Sequence, residues 1–504
     1  MISFLEKIAD RLLQKFPENM EDVAIVLPSK RAVVFFKYYL SKKIDKPIFL
    51  PDFYSIEEFI EKLSGMQILD NISLQFRLYQ SYLKNPPKKQ DSFDDFLKWS
   101  NILLHDFNDI DRNLVDAKSI YTNLSDLKKL ENWNVEDWSF ANKDLTVMQS
   151  DYLTFFNQMS QWYNDFSQSL AKENLAYQGL AYKKASQEIR SFSIIWQRVW
   201  FVGLNALTRS EQEIIDYLKN EDIARVFWDA DTFYYDNPIH EAGSFLRDQR
   251  KRWSEIDFQG VGDYFNKKKE TFNVIACPKN ISQAQIASEI IKSFPSVDLE
   301  DSRTAIVLGD ENLLYPVLHY LPSELRELNI TMGSPLKDTV LFAFVENILR
   351  MHVNAIRYKK NGLYYKDLIA VIEHPYFVKI ADFNEILELK RLIVKNNIVF
   401  ISKRNVKQIF KNDCIINLLT IWKNNKNAIN VLIQIVENLK QYLVGKNASV
   451  DSEVLATFFK SIILLKNLLD ENDHAFELKT LQLIMKQLVA KETIPFQGEP
   501  LKGV

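Results

Sequence analysis

Two cysteines, Cys277 and Cys414, are all that the 504 residues contain. That excludes a disulfide framework and any four-thiolate zinc or iron-sulfur site built from this chain alone. Glycine is also scarce, with 12 residues, so sharp turns must rest largely on Asn, Asp, Ser and the 15 prolines. Neither charge sign dominates: 63 Lys and Arg stand against 66 Asp and Glu, a formal net charge of -3. Bulk electrostatics therefore argue for neither nucleic acid nor a membrane surface, and only a local patch can carry such an argument. No apolar run approaches the roughly 18 residues of a membrane span, and even Ser461 to Leu469 is broken by Lys466. The first residues set Phe4, Leu5, Ile8, Leu12, Leu13 and Phe16 on one helical stripe with Glu6 and Asp10 among them. That is the pattern of a core-facing helix, not of a signal peptide. A reducing, cytoplasmic setting without membrane contact is expected.

What is present is a globular composition, 47% hydrophobic and 26% charged, in a chain long enough for about three or four domains. The amino end alternates helix and strand patterns. A helix precedes the strand-like Val23-Ala24-Ile25-Val26-Leu27, then come Pro28-Ser29-Lys30-Arg31 and a helix to Leu40, which is α/β grammar. A second short strand is expected near Ile48 to Leu50, with a helix from about Glu57. The aromatic-rich, helix-periodic stretch to Lys184 reads as an inserted helical domain. Strand patterns return at Val199 to Val202, Ala224 to Trp228, Phe272 to Ala276 and Thr304 to Leu308, and from Thr339 to Lys491 the chain is helical again.

Catalytic motifs are mostly missing. A phosphate-wrapping Gly-x-x-x-x-Gly-Lys-Ser/Thr loop has no match, since Gly445-Lys446 is followed by Asn447 and has Lys440 in place of the first glycine. Gly260-Val261-Gly262 starts a dinucleotide-like string but carries Phe265 where the third glycine belongs, and His240-Glu241 starts a zincin-like string but carries Ser244 for the second histidine. Glu388-Leu389-Lys390 and Glu477-Leu478-Lys479 have the Glu-x-Lys of a magnesium nuclease and Pro51-Asp52 its Pro-Asp. That site needs adjoining strands, whereas both Glu-x-Lys strings lie in helical periods. Asp229 and Asp231, just past a strand, are the best carboxylate pair, with a capping or turn role favoured over metal binding. The basic runs Arg247 to Arg252 and Lys267 to Lys269 read as linker or solvated surface.

The order of the junctions carries a resemblance. Val23 to Arg31 followed by an apolar helix looks like the strand-loop of superfamily 1 helicases that touches the DNA backbone. Leu50-Pro51 to Tyr54-Ser55-Ile56-Glu57-Glu58-Phe59 is similar to the next strand and helix of that fold. Val199-Trp200-Phe201-Val202-Gly203-Leu204 with Thr208 to Leu218 matches the surroundings of a Walker B motif in degenerate form. With Thr304 to Leu314, Asn329 to Leu336 and Ile494 to Leu501, the set resembles the B subunit of bacterial AddAB-type helicase-nucleases over nearly the whole chain.

The resemblance implies an α/β fold of two RecA-like domains, each with a helical insertion. The first is expected over 1–60 and 185–265, interrupted by 61–184. The second is expected over 270–340 and 492–504, interrupted by 341–491, and incomplete because the sequence stops at Val504. Members of that family continue into a PD-(D/E)XK exonuclease domain, to which magnesium and an iron-sulfur cluster belong. This chain is expected to hold no cofactor, and Gly203 and Leu204 at the Walker B position supply no magnesium ligand. Ser29, Lys30 and Arg31 are the implied phosphate contacts, and Trp99, Trp133 and Trp138 are candidate base-stacking aromatics with a core role as the alternative. The implied partners are DNA and an AddA-like motor subunit, and the implied function is an inactivated, helicase-like DNA scaffold in double-strand-break repair and recombination. Two alternatives stand beside it: an interaction scaffold without DNA contact, and an ATP-dependent exonuclease or helicase in full-length form.

Overall fold

Val23–Leu27 (β1) is buried at every position, which requires cover on both faces, as parallel sheets have. Its side chains alternate between two cores. Ala24 and Val26 pack with Val199 and Phe201 on one side, and Val23, Ile25 and Leu27 pack with Trp200 and Val202 on the other. In this computed structural model, which describes residues 3–87, 90–124, 147–253, 261–267, 271–295, 304–323, 325, 328–330, 332–422, 424–444, 449–472 and 476–494, the chain is α/β, mostly helical, with a small parallel sheet. It divides into two compact units, residues 1–90 with 98–275 and residues 91–97 with 276–504.

The first unit holds the sheet. Helix α1 (Phe4–Lys15), capped by Ser3, and α2 (Lys30–Ser41) cover the Trp200 side. Strand β2 (Asp52–Ser55) runs straight into α3 (Ile56–Ser64), whose start is fixed by a capping box between Ser55 and Glu58. The second strand thus lies beyond Ile48 to Leu50, where the sequence pattern had set it. Phe49 and Leu50 are exposed, while Asp52 to Ser55 pair in parallel register with Ala24 to Leu27 of β1, and Asp52 Oδ2 takes the Trp196 indole N–H at 2.8 Å.

The helical insertion then follows: α4 (Asn71–Lys84), α5 (Phe93–Arg112, its first turn grouping with the second unit), α6 (Val147–Lys172) and α7 (Gln178–Glu188). Its polar anchor is Asp111, a fully buried carboxylate on α5 that accepts hydrogen bonds from Tyr163, Tyr177 and, at 2.9 Å, Lys183. Burial, and then the Asp111 charge, push the phenols of Tyr163 and Tyr177 upward, so both remain protonated donors. α7 approaches α5 so closely at Gly179 that a Cβ there would lie 2.3 Å from the Asn108 carbonyl oxygen. Strand β3 (Arg198–Val202), α8 (Arg209–Asn220, with a Thr208–Glu211 capping box) and β4 (Ala224–Phe227) complete the sheet. Its order is β2-β1-β3-β4, all parallel. Helix α9 (Ser244–Trp253) closes one face, with Trp228 donating to Gln249.

The second unit is built from helices, including α10 (Asn280–Lys292), α11 (Leu314–Tyr320), α12 (Val340–Tyr358), α13 (Phe383–Lys395), α14 (Asn425–Leu443), α15 (Ser449–Glu471) and α16 (Leu478–Lys491). The strands expected at Phe272 to Ala276 and Thr304 to Leu308 do not form. Both segments belong to no sheet, and Phe272, Val274 and Val307 are 80%, 97% and 89% exposed. A short apolar run alone does not make a strand when no ladder neighbour takes up its N–H and C=O groups. A second parallel sheet over 270–340 and 492–504 is accordingly not found among the described residues. Ser334–Pro335 and Thr493–Ile494 pair there as a two-residue antiparallel bridge, and 495–504 lie outside the described residues.

Candidate nucleic-acid interface

In open parallel sheets, ligands gather beyond the carboxyl ends of the strands, where the connections leave in opposite directions. Here the chain leaves β1 toward β2 on one side and returns to β3 on the other, so the switch point lies between β1 and β3. The residues there are Pro28-Ser29-Lys30-Arg31 and Gly203-Leu204. The two junctions are adjacent: a Cβ built on Gly203 would sit 3.9 Å from the Pro28 ring and 3.5 Å from Phe4. Those are ordinary contacts. What demands glycine is the backbone, with φ +73°, as the chain turns out of β3.

Each loop residue has a defined local role. Ser29 caps α2, its hydroxyl accepting from the Ala32 N–H at 3.3 Å. Lys30 reaches across to α3, Nζ lying 2.8 Å from Glu58 Oε1, and its side chain is 78% exposed. The hydrogen bond to Glu58 holds the Lys30 ammonium above its usual range. The same bond, with the Ser55 N–H, holds the Glu58 carboxyl below its own. Arg31 lies over the Phe35 ring at 5.7 Å and has no acidic partner among the described residues. Cations in the first turn of a helix oppose its dipole, and α2 carries no acid there. The unneutralised positive charge of this edge is therefore that of Arg31, while Lys30 faces Glu58 with Glu61 and Glu57 beyond it.

Beside the loop, a cavity of about 360 Å³ is lined by Gly203, Leu204, Asp229, Asp231, Tyr234 and Tyr264, among others. Asp231 has both carboxylate oxygens engaged by backbone N–H groups, Oδ1 by Phe233 at 3.0 Å and Oδ2 by Tyr264 at 2.7 Å. It is a cap, the favoured one of the two roles open to it. Burial pushes the Asp229 carboxyl up, with Lys7 acting in the opposite direction. Lys7 is held at the rim by the Tyr264 hydroxyl at 2.7 Å. No group of three or more His, Cys, Asp or Glu is arranged to hold a metal ion among the described residues.

Other candidates separate from this site. Arg247 donates to the Tyr234 and His240 carbonyls, and Arg252 pairs with Asp216, so these members of the basic run pin α9 in place. Glu388 and Lys390 lie inside α13, where Lys390 pairs with Glu373, and Glu477 begins α16. Trp99 packs among Tyr82, Phe155 and Trp162 as part of an aromatic core, and Trp133 and Trp138 lie outside the described residues. Sequence reasoning missed Glu58 as the partner of Lys30. The Ser55-x-x-Glu58 capping signature was the available signal for its position. No helix among the described residues is long and apolar enough to cross a membrane. No protein-family model matches the chain, and no curated protein matches it either.

Proposed function

We propose that the chain is a helicase-like DNA-binding scaffold whose ATP site is inactivated, the B-subunit type of partner to a motor helicase-nuclease in processing DNA double-strand ends. In this reading the sheet of the first unit is one RecA-like domain, and residues 270–340 belong with a second. The observation that carries the reading is the meeting of Ser29-Lys30-Arg31 with Gly203-Leu204 at the sheet's switch point. A cationic, partly unneutralised loop stands where ligands collect, beside a strand end that has neither a carboxylate for magnesium nor a base for water. Contacts from Lys30 and Arg31 would go to phosphates and fix register without reading sequence.

Two assays test it. Binding of the chain to an end-labelled duplex is expected to exceed binding to a closed circle of the same sequence, and to weaken as salt rises. ATP turnover with single-stranded DNA present is expected to stay at background. Turnover above background, or indifference to DNA at low salt, overturns the reading. The second outcome would select an interaction scaffold without DNA contact.

A further inference from the structure

The cavity of about 360 Å³ beyond the ends of β3 and β4 is walled by a carboxylate and by aromatic rings: Asp229 with Tyr234, Tyr264 and Phe265. Asp229 forms no hydrogen bond and no ion pair among the described residues. Burial pushes its carboxyl up, and the Lys7 charge that opposes this stops short of an ion pair. A carboxylate drawn out of water without a partner is unfavourable until a cation or a donor reaches it. The rings beside it are in part uncovered. Phe265 is 50% and Tyr264 41% exposed, and Phe265 is held edge to face by Tyr234, with ring centres 5.2 Å apart at 76°. One wall ring already carries a cation, since Lys7 Nζ lies 5.4 Å from the centre of Tyr264.

These parts select the charge of a ligand. A phosphate or other anion would meet the Asp229 carboxylate. A metal ion would need a second carboxylate, and Asp231 has both oxygens engaged by the N–H groups of Phe233 and Tyr264. An organic cation satisfies both features at once, its charge pairing with the carboxylate and its flank lying on the ring faces. We propose that this cavity binds an ammonium or guanidinium group on an aliphatic stem, the charge at Asp229 and the stem against Tyr264 and Phe265. The volume lies near the lower end of the range of small-molecule pockets, a size suited to one such stem. Lys7 at the rim opposes the ligand, because its ammonium has the same sign and already uses the Tyr264 ring. The proposal goes beyond the DNA-binding reading and does not rest on it.

The test is isothermal titration calorimetry on the full chain with three probes: n-butylguanidinium, its uncharged isostere n-butylurea, and the peptide acetyl-Gly-Arg-Gly-amide. The two cations are expected to bind and the urea is not. Asp229→Asn keeps the shape and removes the charge, and is expected to weaken cation binding about tenfold. Phe265→Leu is expected to weaken it about threefold. Lys7→Gln is expected to tighten it several-fold, a gain that damage to the fold cannot produce. Tighter binding of the peptide than of butylguanidinium would support the site and assign the cation to a side chain of a partner protein, and the reverse order would support it and assign the cation to a free amine or guanidine. Absence of binding by either cation, equal binding of butylurea and butylguanidinium, or an Asp229→Asn variant that binds as the parent does would each overturn the proposal. The DNA-binding reading is judged separately, by the duplex assay above.

Discussion

Lys30 Nζ lies 2.8 Å from Glu58 Oε1, which ties the first residue of α2 to the third residue of α3 beyond the ends of two neighbouring strands. The same Glu58 carboxylate closes the α3 capping box, its Oε2 accepting from the Ser55 N–H at 3.0 Å. A phosphate that engages Lys30 must displace or share this carboxylate. Glu58 therefore restrains the loop.

Glu58→Gln removes the charge and keeps the box, since Gln serves at the same capping position. The expected result is tighter DNA binding by several-fold, with a salt slope steeper by about 0.7 to 0.9 for the one cation released. Melting temperature is expected to change little. Unchanged affinity in the Gln variant would show that Lys30 does not act on DNA.

Asp111 gives a stability prediction. Its buried carboxylate accepts from two phenols and an ammonium, so Asp111→Ala leaves Lys183 without its counter-ion and two phenol hydroxyls without an acceptor, while Lys183 keeps the Tyr163 oxygen at 2.8 Å. Breaking a buried pair costs about 3–5 kcal/mol. The lower end applies here because the Lys183 side chain is 26% exposed. Urea denaturation followed by fluorescence reads it, and a loss below about 1 kcal/mol would contradict the anchoring role.

His352 gives a pH prediction for the second unit. The ring is fully buried, stacks on Trp422 at 3.8 Å, and has Nε2 2.9 Å from the Leu418 carbonyl oxygen. Burial pushes its pKa down to about 3, against about 6.5 in an unfolded chain. The unfolded state thus binds a proton that the folded state refuses. The site's contribution is complete above about pH 6.5 and declines as pH falls toward about 3, by up to about 1.4 kcal/mol per unit. Denaturation midpoints of the His352→Gln variant between neutral and acid pH are expected to fall less steeply than those of the parent. Parallel profiles would contradict this.

Much of the first unit is legible in the sequence. Five consecutive apolar residues ending at Pro28 are a buried strand, and Thr208 with Glu211, like Ser55 with Glu58, marks a helix start. The sequence misleads where apolarity and pairing part company. Phe49 and Leu50 look more strand-like than Asp52–Ser55, but it is Asp52–Ser55 that comes into register with β1, Asp52 opposite Ala24. Phe272 to Ala276 and Thr304 to Leu308 are apolar and rich in β-branched residues and still join no sheet, because pairing depends on residues far away in the chain. The loop residues Ser29 to Arg31 were legible from their place after β1. The Lys30 partner was not, since a capping box fixes where Glu58 sits and says nothing of the second oxygen.

The central claim is that the β1–α2 loop holds DNA by its phosphates, and the most direct measurement is the salt dependence of DNA affinity for the chain and for its Lys30→Ala, Arg31→Ala double variant. Two lost phosphate contacts lower the slope by about 1.4 for single strands and about 1.8 for duplex, with weaker binding that does not depend on DNA sequence. That result is predicted. Affinity and slope both equal to those of the parent chain would contradict the account.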